Sequence, residues 1–241
     1  MSRVRRASGR RPDELRPVSM ETGAAARAEG SCLIAMGDTR VLCAATVQDG
    51  VPPWREVRGG WVTAEYAMLP RSTSQRTPRE RNGPRARTQE IQRLIGRALR
   101  AATELEALGD RTIIVDCDVL EADGGTRTAA ITGGCVALYA AAARLVAQGI
   151  LPANPVRRFV AAVSVGIVNG EPCVDLDYHE DVGADVDMNY AALDDGRIVE
   201  VQGTAEGAAF GEGELETLLS LARKGVGELI ELQRRAVEVA L

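Results

Sequence analysis

The sequence predicts an α+β fold of mixed α/β layers. Three observations carry that prediction. Alternating apolar and polar residues dominate the first third of the chain, two helical patterns flank a strand near its centre, and two hairpins and a long helix follow. In chain order, residues 1–12, with Arg3, Arg5, Arg6, Arg10 and Arg11, lack apolar periodicity and read as a flexible basic arm. Residues 31–35 and 40–47 alternate around Gly37-Asp38, the signature of a hairpin. Residues 60–68 read as a further strand, and 71–87 as a polar loop containing proline and glycine. Ile91, Leu94, Ile95, Ala98, Leu99, Ala102 and Leu105 share one helical face. Residues 112–120 form an apolar strand pattern, and 128–146, rich in alanine and leucine, a helix. Asn169-Gly170 joins strands over 159–168 and 172–176; Asp194-Asp195-Gly196 joins strands over 187–193 and 197–202. Residues 214–239 close the chain as a helix with Leu215, Leu218, Leu219, Ala222, Val226 and Leu229 inward.

Composition narrows the class. A chain of 241 residues buries a full core as one large domain or two small ones, and with 45% hydrophobic and 26% charged residues it has ordinary globular composition. No run approaches the length of a membrane span, and no apolar signal core follows the basic N-terminus. Cys32, Cys43, Cys117, Cys135 and Cys173 lack metal-like spacing and read as buried reduced thiols, which suits a cytoplasmic protein. The single histidine, His179, excludes a multi-histidine metal site and argues against a serine-histidine triad. Net charge is −5, but residues 1–100 carry 19 arginines and 10 acids, a balance of +9, and the remainder −14. The basic half supplies a local field for phosphate contacts that bulk charge would not suggest.

Asp123-Gly124-Gly125-Thr126-Arg127-Thr128 lies between the central strand and helix. Two glycines allow positive φ, and the amides they free join the first helical amides in facing one anion. Thr126 adds a hydroxyl and Arg127 a fork-shaped cation suited to phosphate oxygens. The same residues also fit a plain strand-to-helix turn with a surface arginine. A second cluster, Asp181, Asp185 and Asp187, precedes and enters a strand. Residues two apart share a strand face, so Asp185 and Asp187 are expected to converge, with Asp181 returning from the preceding loop. Converging carboxylates select a hard cation, Mg²⁺ or Mn²⁺; a solvated acidic loop is the alternative. Arg71, Arg76, Arg79, Arg81, Arg85 and Arg87 crowd one loop, either a solvated basic loop or a polyanion-binding one. Trp61 and Tyr66 are the only aromatics near it, so stacking on bases is expected to be limited.

These blocks occur together with Met68-Leu69-Pro70-Arg71-Ser72-Thr73, Arg87-Thr88-Gln89-Glu90-Ile91-Gln92-Arg93 and Glu200-Val201-Gln202-Gly203-Thr204-Ala205-Glu206-Gly207. In this order they resemble ribonuclease PH, over nearly the whole chain from about residue 10 to the C-terminal helix. The resemblance implies one ribonuclease PH domain over 1–241, with βαβα-type layers related to the ribosomal-protein domain-2-like fold and to polynucleotide phosphorylase and exosome ring subunits. It implies a phosphate-dependent 3′–5′ exoribonuclease that trims transfer RNA precursors and other structured RNA, releasing nucleoside diphosphates. Run backwards, the reaction is that of a nucleotidyltransferase. By motif, Asp181 and Asp187 match the family's metal-associated catalytic pair. Arg87, Gly125, Thr126 and Arg127 would hold inorganic phosphate, and Arg71, Arg76 and Arg79 would hold RNA. Asn82-Gly83-Pro84 departs from the family's usual glycine- and lysine-rich stretch. The implied partners are RNA, Mg²⁺ or Mn²⁺, and further copies in a homo-hexamer built as a trimer of dimers; neither DNA nor a membrane is expected. Two other readings remain: a non-catalytic RNA-binding ring subunit, which would be expected to lose the acidic pair or the phosphate arginine, and a metal-dependent hydrolytic nuclease, which needs no phosphate loop.

Overall fold

A computed structural model describes residues 6–207 and 209–239. Its first sheet has the order β1-β2-β3-β5-β4, built from β1 (Val18–Thr22), β2 (Gly30–Met36), β3 (Thr39–Asp49), β4 (Trp61–Met68) and β5 (Arg111–Glu121). Every pairing is antiparallel except β4 with β5, which are joined through helix α1 (Ala86–Ala101), as a parallel connection requires. The Gly37-Asp38 turn pairs Met36 with Thr39, as its sequence predicts. The second sheet has the order β7-β6-β8-β9, from β6 (Val160–Val168), β7 (Glu171–Val174), β8 (Val186–Leu193) and β9 (Ile198–Ala205). Asn169 and Gly170 both take positive φ, at 51° and 76°, which gives the β6–β7 hairpin the twist that two-residue turns favour.

Helix α2 (Thr126–Ala147) joins the two sheets. It packs on β2 and β3 from the first and on β6 from the second. Buried on opposite faces, it is apolar nearly all round rather than amphipathic. This corrects one reading of the sequence. By length and composition α2 could cross a membrane, yet its most apolar stretch is 72% buried inside the protein. The approach of β2 is close: a β-carbon on Gly30 would stand 2.3 Å from the Ala137 carbonyl oxygen. Helix α4 (Glu212–Val239) covers β6 and β7, and its buried Gln233 donates to the carbonyls of Thr132 in α2 and Val160 in β6, both at 2.8 Å. One continuous hydrophobic cluster draws on both sheets, α1, α2 and α4.

All five cysteines are buried and free, and burial pushes the Cys32 and Cys135 thiols up to about 12. Those two are inert packing groups at neutral pH.

The N-terminal segment differs from the expected arm. Residues 1–5 lie outside the described residues, but 6–12 are fastened to the body. Arg6 is buried; its Nε donates to Glu180 Oε1 at 2.6 Å, and its other nitrogens donate to the carbonyls of Val174 and Asp175. Arg10 adds a second cation beside Glu180 and Asp175, and the Val174 amide donates to the Pro12 carbonyl. Carboxylates distant in sequence turn a basic run into an internal clamp.

Candidate active site

The phosphate-loop candidate begins where β5 ends. Gly124 and Gly125 have φ of 75° and 67°, so two consecutive left-handed residues turn the chain into α2, with Gly125 as its N-cap. A left-handed residue joined to a right-handed one, here Gly125 with helical Thr126, makes a concave array of amides at a helix N-terminus, where the dipole also favours an anion. Thr126 and Arg127 occupy the first turn, both partly buried. Thr126 Oγ1 shares a hydrogen bond of 2.8 Å with the Tyr66 hydroxyl.

Tyr66 is only 5% exposed. It therefore offers no face for stacking on a base and instead supports the loop from β4. Trp61 is also unavailable, because the Arg100 and Arg55 guanidiniums lie 4.3 and 4.9 Å from its ring centroid.

The acidic candidates come from the other sheet. Asp181 lies on a short helix, α3 (Tyr178–Val182), whose start is fixed by a capping box between Asp177 and Glu180. Asp187 is the second residue of β8, and its Oδ1 is buried without a hydrogen-bond partner among the described residues. Burial, and then the charge of Asp181, push the Asp187 carboxyl up to about 6, while the positive charges of Arg127 and Arg87 act against that rise. Burial also raises Asp181, again against the pull of Arg127 and Arg87. Arg87, exposed in the first turn of α1, thus shares one electrostatic neighbourhood with Arg127 and both aspartates.

The expected convergence of Asp185 with Asp187 is not found. Asp185 is exposed just before β8, where its amide donates to Ile167 and its carbonyl accepts from Glu206. The partner of Asp187 is Asp181, brought round by α3. Glu206, just after β9, adds negative charge felt by both aspartates, a contribution the sequence reading did not assign.

Arg71, Arg76 and Arg79 are exposed on the irregular segment between β4 and α1. Its first turn is anchored beside the glycine loop: the Leu69 amide donates to Val119, and the Ala122 amide to the Ser72 carbonyl. Glu80 ties its far end by accepting from the Arg85 amide and the Thr88 hydroxyl.

The raised Asp187 pKa fixes the sign of a pH effect. Its ionised form is disfavoured by folding, so the cost is present above about pH 6 and disappears as pH falls toward 4. Asp187→Asn is therefore expected to stabilise the metal-free protein at pH 7.5 by about 1–2 kcal/mol, allowing for partial solvent screening. Urea melts in chelator should show the gain at pH 7.5 and its loss near pH 4. Equal stabilities at pH 7.5 would contradict a disfavoured charge.

The family model described as 3′ exoribonuclease family, domain 1, matches residues 14–144, and that of domain 2 matches residues 158–225. Solved structures agree in fold. Rice (Oryza sativa) Rrp46 is 20% identical over 95% of this chain and 98% of its own, with a TM-score of 0.78. The Archaeoglobus fulgidus exosome with RNA bound to the active site contains a chain 25% identical, over 94% of this chain and 91% of that one, at 0.79. An archaeal exosome core supplies a third, 23% identical over 95% and 91%, at 0.76. With both family models matched in sequence order, and the cradle of the first half set against the acidic pair of the second, the chain belongs to the ribonuclease PH family of 3′ exoribonucleases.

Proposed function

We propose that the protein is a phosphate-dependent 3′–5′ exoribonuclease that trims transfer RNA precursors and other structured RNA. The observation that carries this reading is the meeting of an anion cradle with a carboxylate pair. Gly125, Thr126, Arg127 and Arg87 supply amides, a hydroxyl and two cations, and Asp181 and Asp187 lie within reach of those charges. Hydrolysis would need only the carboxylates. A cradle for a second anion suits a reaction in which phosphate itself attacks the terminal phosphodiester.

In this reading Arg127 and Arg87 neutralise the attacking phosphate, which otherwise repels the RNA backbone. The loop amides orient it, and the exposed arginines 71, 76 and 79 hold the approaching strand. Asp181 and Asp187 fit a divalent cation. The orphaned Asp187 Oδ1 lacks a partner, and burial makes an unpaired carboxylate there unfavourable. Among the described residues no group of three His, Cys, Asp or Glu side chains could hold a metal. Two carboxylates completed by substrate phosphate and water suit Mg²⁺ or Mn²⁺ rather than a closed metal cage. Such an ion supplies charge stabilisation at the scissile phosphate. The likeness to a chain of an archaeal exosome with RNA bound to the active site supports RNA binding and assembly with further subunits, and we propose a homo-hexamer, measurable by light scattering.

The deciding experiment is product analysis on a short RNA with Mg²⁺. Nucleoside diphosphates should appear only with phosphate; monophosphates formed equally without it would establish hydrolysis, and RNA retention without product a non-catalytic subunit. Replacing Arg71, Arg76 and Arg79 with Ala should weaken RNA binding and flatten its salt dependence by about one counterion per lost contact. An unchanged slope would remove these arginines from the RNA path.

A further inference from the structure

Behind the candidate site two segments meet, and one buried cation grips both. A β-carbon on Gly124 would stand 2.7 Å from the Asp177 carbonyl carbon and 2.8 Å from the Tyr178 nitrogen, so the glycine loop abuts the start of α3. Arg16, 6% exposed, places its fork on Asp175: Nε donates to Oδ2 at 3.0 Å and Nη2 to Oδ1 at 2.7 Å. Asp175 is itself buried and has a φ of 54°, a strained conformation for a residue with a side chain. Arg16 Nη1 donates to the Asp123 carbonyl. Thr39, fully buried at the start of β3, completes the grip. Its hydroxyl donates to the Gly124 carbonyl at 2.6 Å and accepts from the Asp123 amide at 2.9 Å.

In a trans peptide the carbonyl and the following N–H point in opposite directions. Holding the Asp123 carbonyl toward Arg16 therefore turns the Gly124 amide away from it. Holding the Gly124 carbonyl toward Thr39 does the same for the Gly125 amide. Arg16 is not a spare cation for a ligand, because Asp175 already meets its charge.

We propose that Arg16 and Thr39 are positioning residues: they aim the Gly124 and Gly125 amides into the phosphate cradle and hold that cradle in register with the segment leading to Asp181. This rests on the phosphate-site reading above. Neither residue touches phosphate; each acts through the loop backbone.

The test is steady-state phosphorolysis with phosphate and RNA varied separately. Thr39→Val keeps the shape and charge of the site while removing both hydroxyl bonds. Its KM for phosphate should rise about tenfold, with RNA affinity measured without phosphate kept within about twofold. Arg16→Lys keeps the charge but loses the fork, and should raise the same KM at least as far. Should Arg16→Lys fail to fold, Thr39→Val decides alone. A purely structural role would lower melting temperature or kcat without separating the two KM values. Arg127→Ala is the control. If it raises the phosphate KM while folded Thr39→Val does not, the positioning role is overturned and the phosphate site stands. If neither variant changes that KM, both are overturned.

Discussion

Asp181→Asn and Asp187→Asn, made singly, should each abolish phosphorolysis and the reverse polymerisation together, with turnover falling about 10³-fold or more. Both directions pass through one transition state, so a group that stabilises it cannot serve only one of them. The expected severity follows from what each substitution leaves. Asn is nearly isosteric, so shape survives, but the negative charge that would complement the proposed divalent cation is lost. Asp187 should be the more sensitive, because its Oδ1 is buried with no hydrogen-bond partner among the described residues. RNA affinity should hold or rise in both variants, since negative charge is removed beside a polyanion site. Near-normal turnover of either variant at saturating Mg²⁺ would remove that residue from the chemistry. The Asp187→Asn protein should be inactive and yet more stable at neutral pH, a combination a misfolded variant does not produce.

Arg127→Ala should raise the KM for phosphate about 10–150-fold, the loss of one charge-assisted fork worth roughly 1.5–3 kcal/mol. RNA binding should be nearly intact, because Arg127 sits on the first turn of α2 and not on the irregular segment that carries the exposed arginines. Arg87→Ala should act in the same direction but less steeply. Arg87 is exposed, so water already screens part of its charge, whereas Arg127 is partly buried. An unchanged phosphate dependence in Arg127→Ala would place the cradle elsewhere.

The parts of this fold that were legible in the sequence are those governed by local chemistry. Gly37-Asp38 and Asn169-Gly170 announce their hairpins because few other residues accept the backbone angles required. The glycine pair before α2 is legible for the same reason. Strand β1 escaped because Val18–Thr22 is short, with Ser19, Glu21 and Thr22 among its five residues, and no face of it is fully buried. Helix α3 escaped because five residues carry no periodicity, although Asp177 and Glu180 spell the capping box that starts it. The pairing of Asp181 with Asp187 depends on α3, which is why strand spacing alone pointed to Asp185 instead. Arg6, Arg10 and Arg16 show the limit most plainly. Their partners Asp175 and Glu180 lie more than half the chain away, and nothing local to a run of arginines distinguishes an internal clamp from a solvated tail. Tyr66 is a similar case, since its support of Thr126 exists only once β4 lies beside β5.

Helix α2 has a bearing on how the molecule comes apart. The two matched segments end and resume on either side of its C-terminus, as though each were a module. Yet a helix whose apolar surface is divided between two sheets gains its full burial only when both are in place. Neither segment retains a complete core without the other, so calorimetry should record one all-or-none endotherm, with van't Hoff and calorimetric enthalpies in agreement. Amides in the buried middle turns of α2, past the first unpaired turn, should exchange with deuterium only through that global opening, at the slow limit of the whole protein. The proposed anion cradle thereby sits at the end of an element shared by both sheets, and a ligand bound there would report its occupancy in the melting of the entire chain.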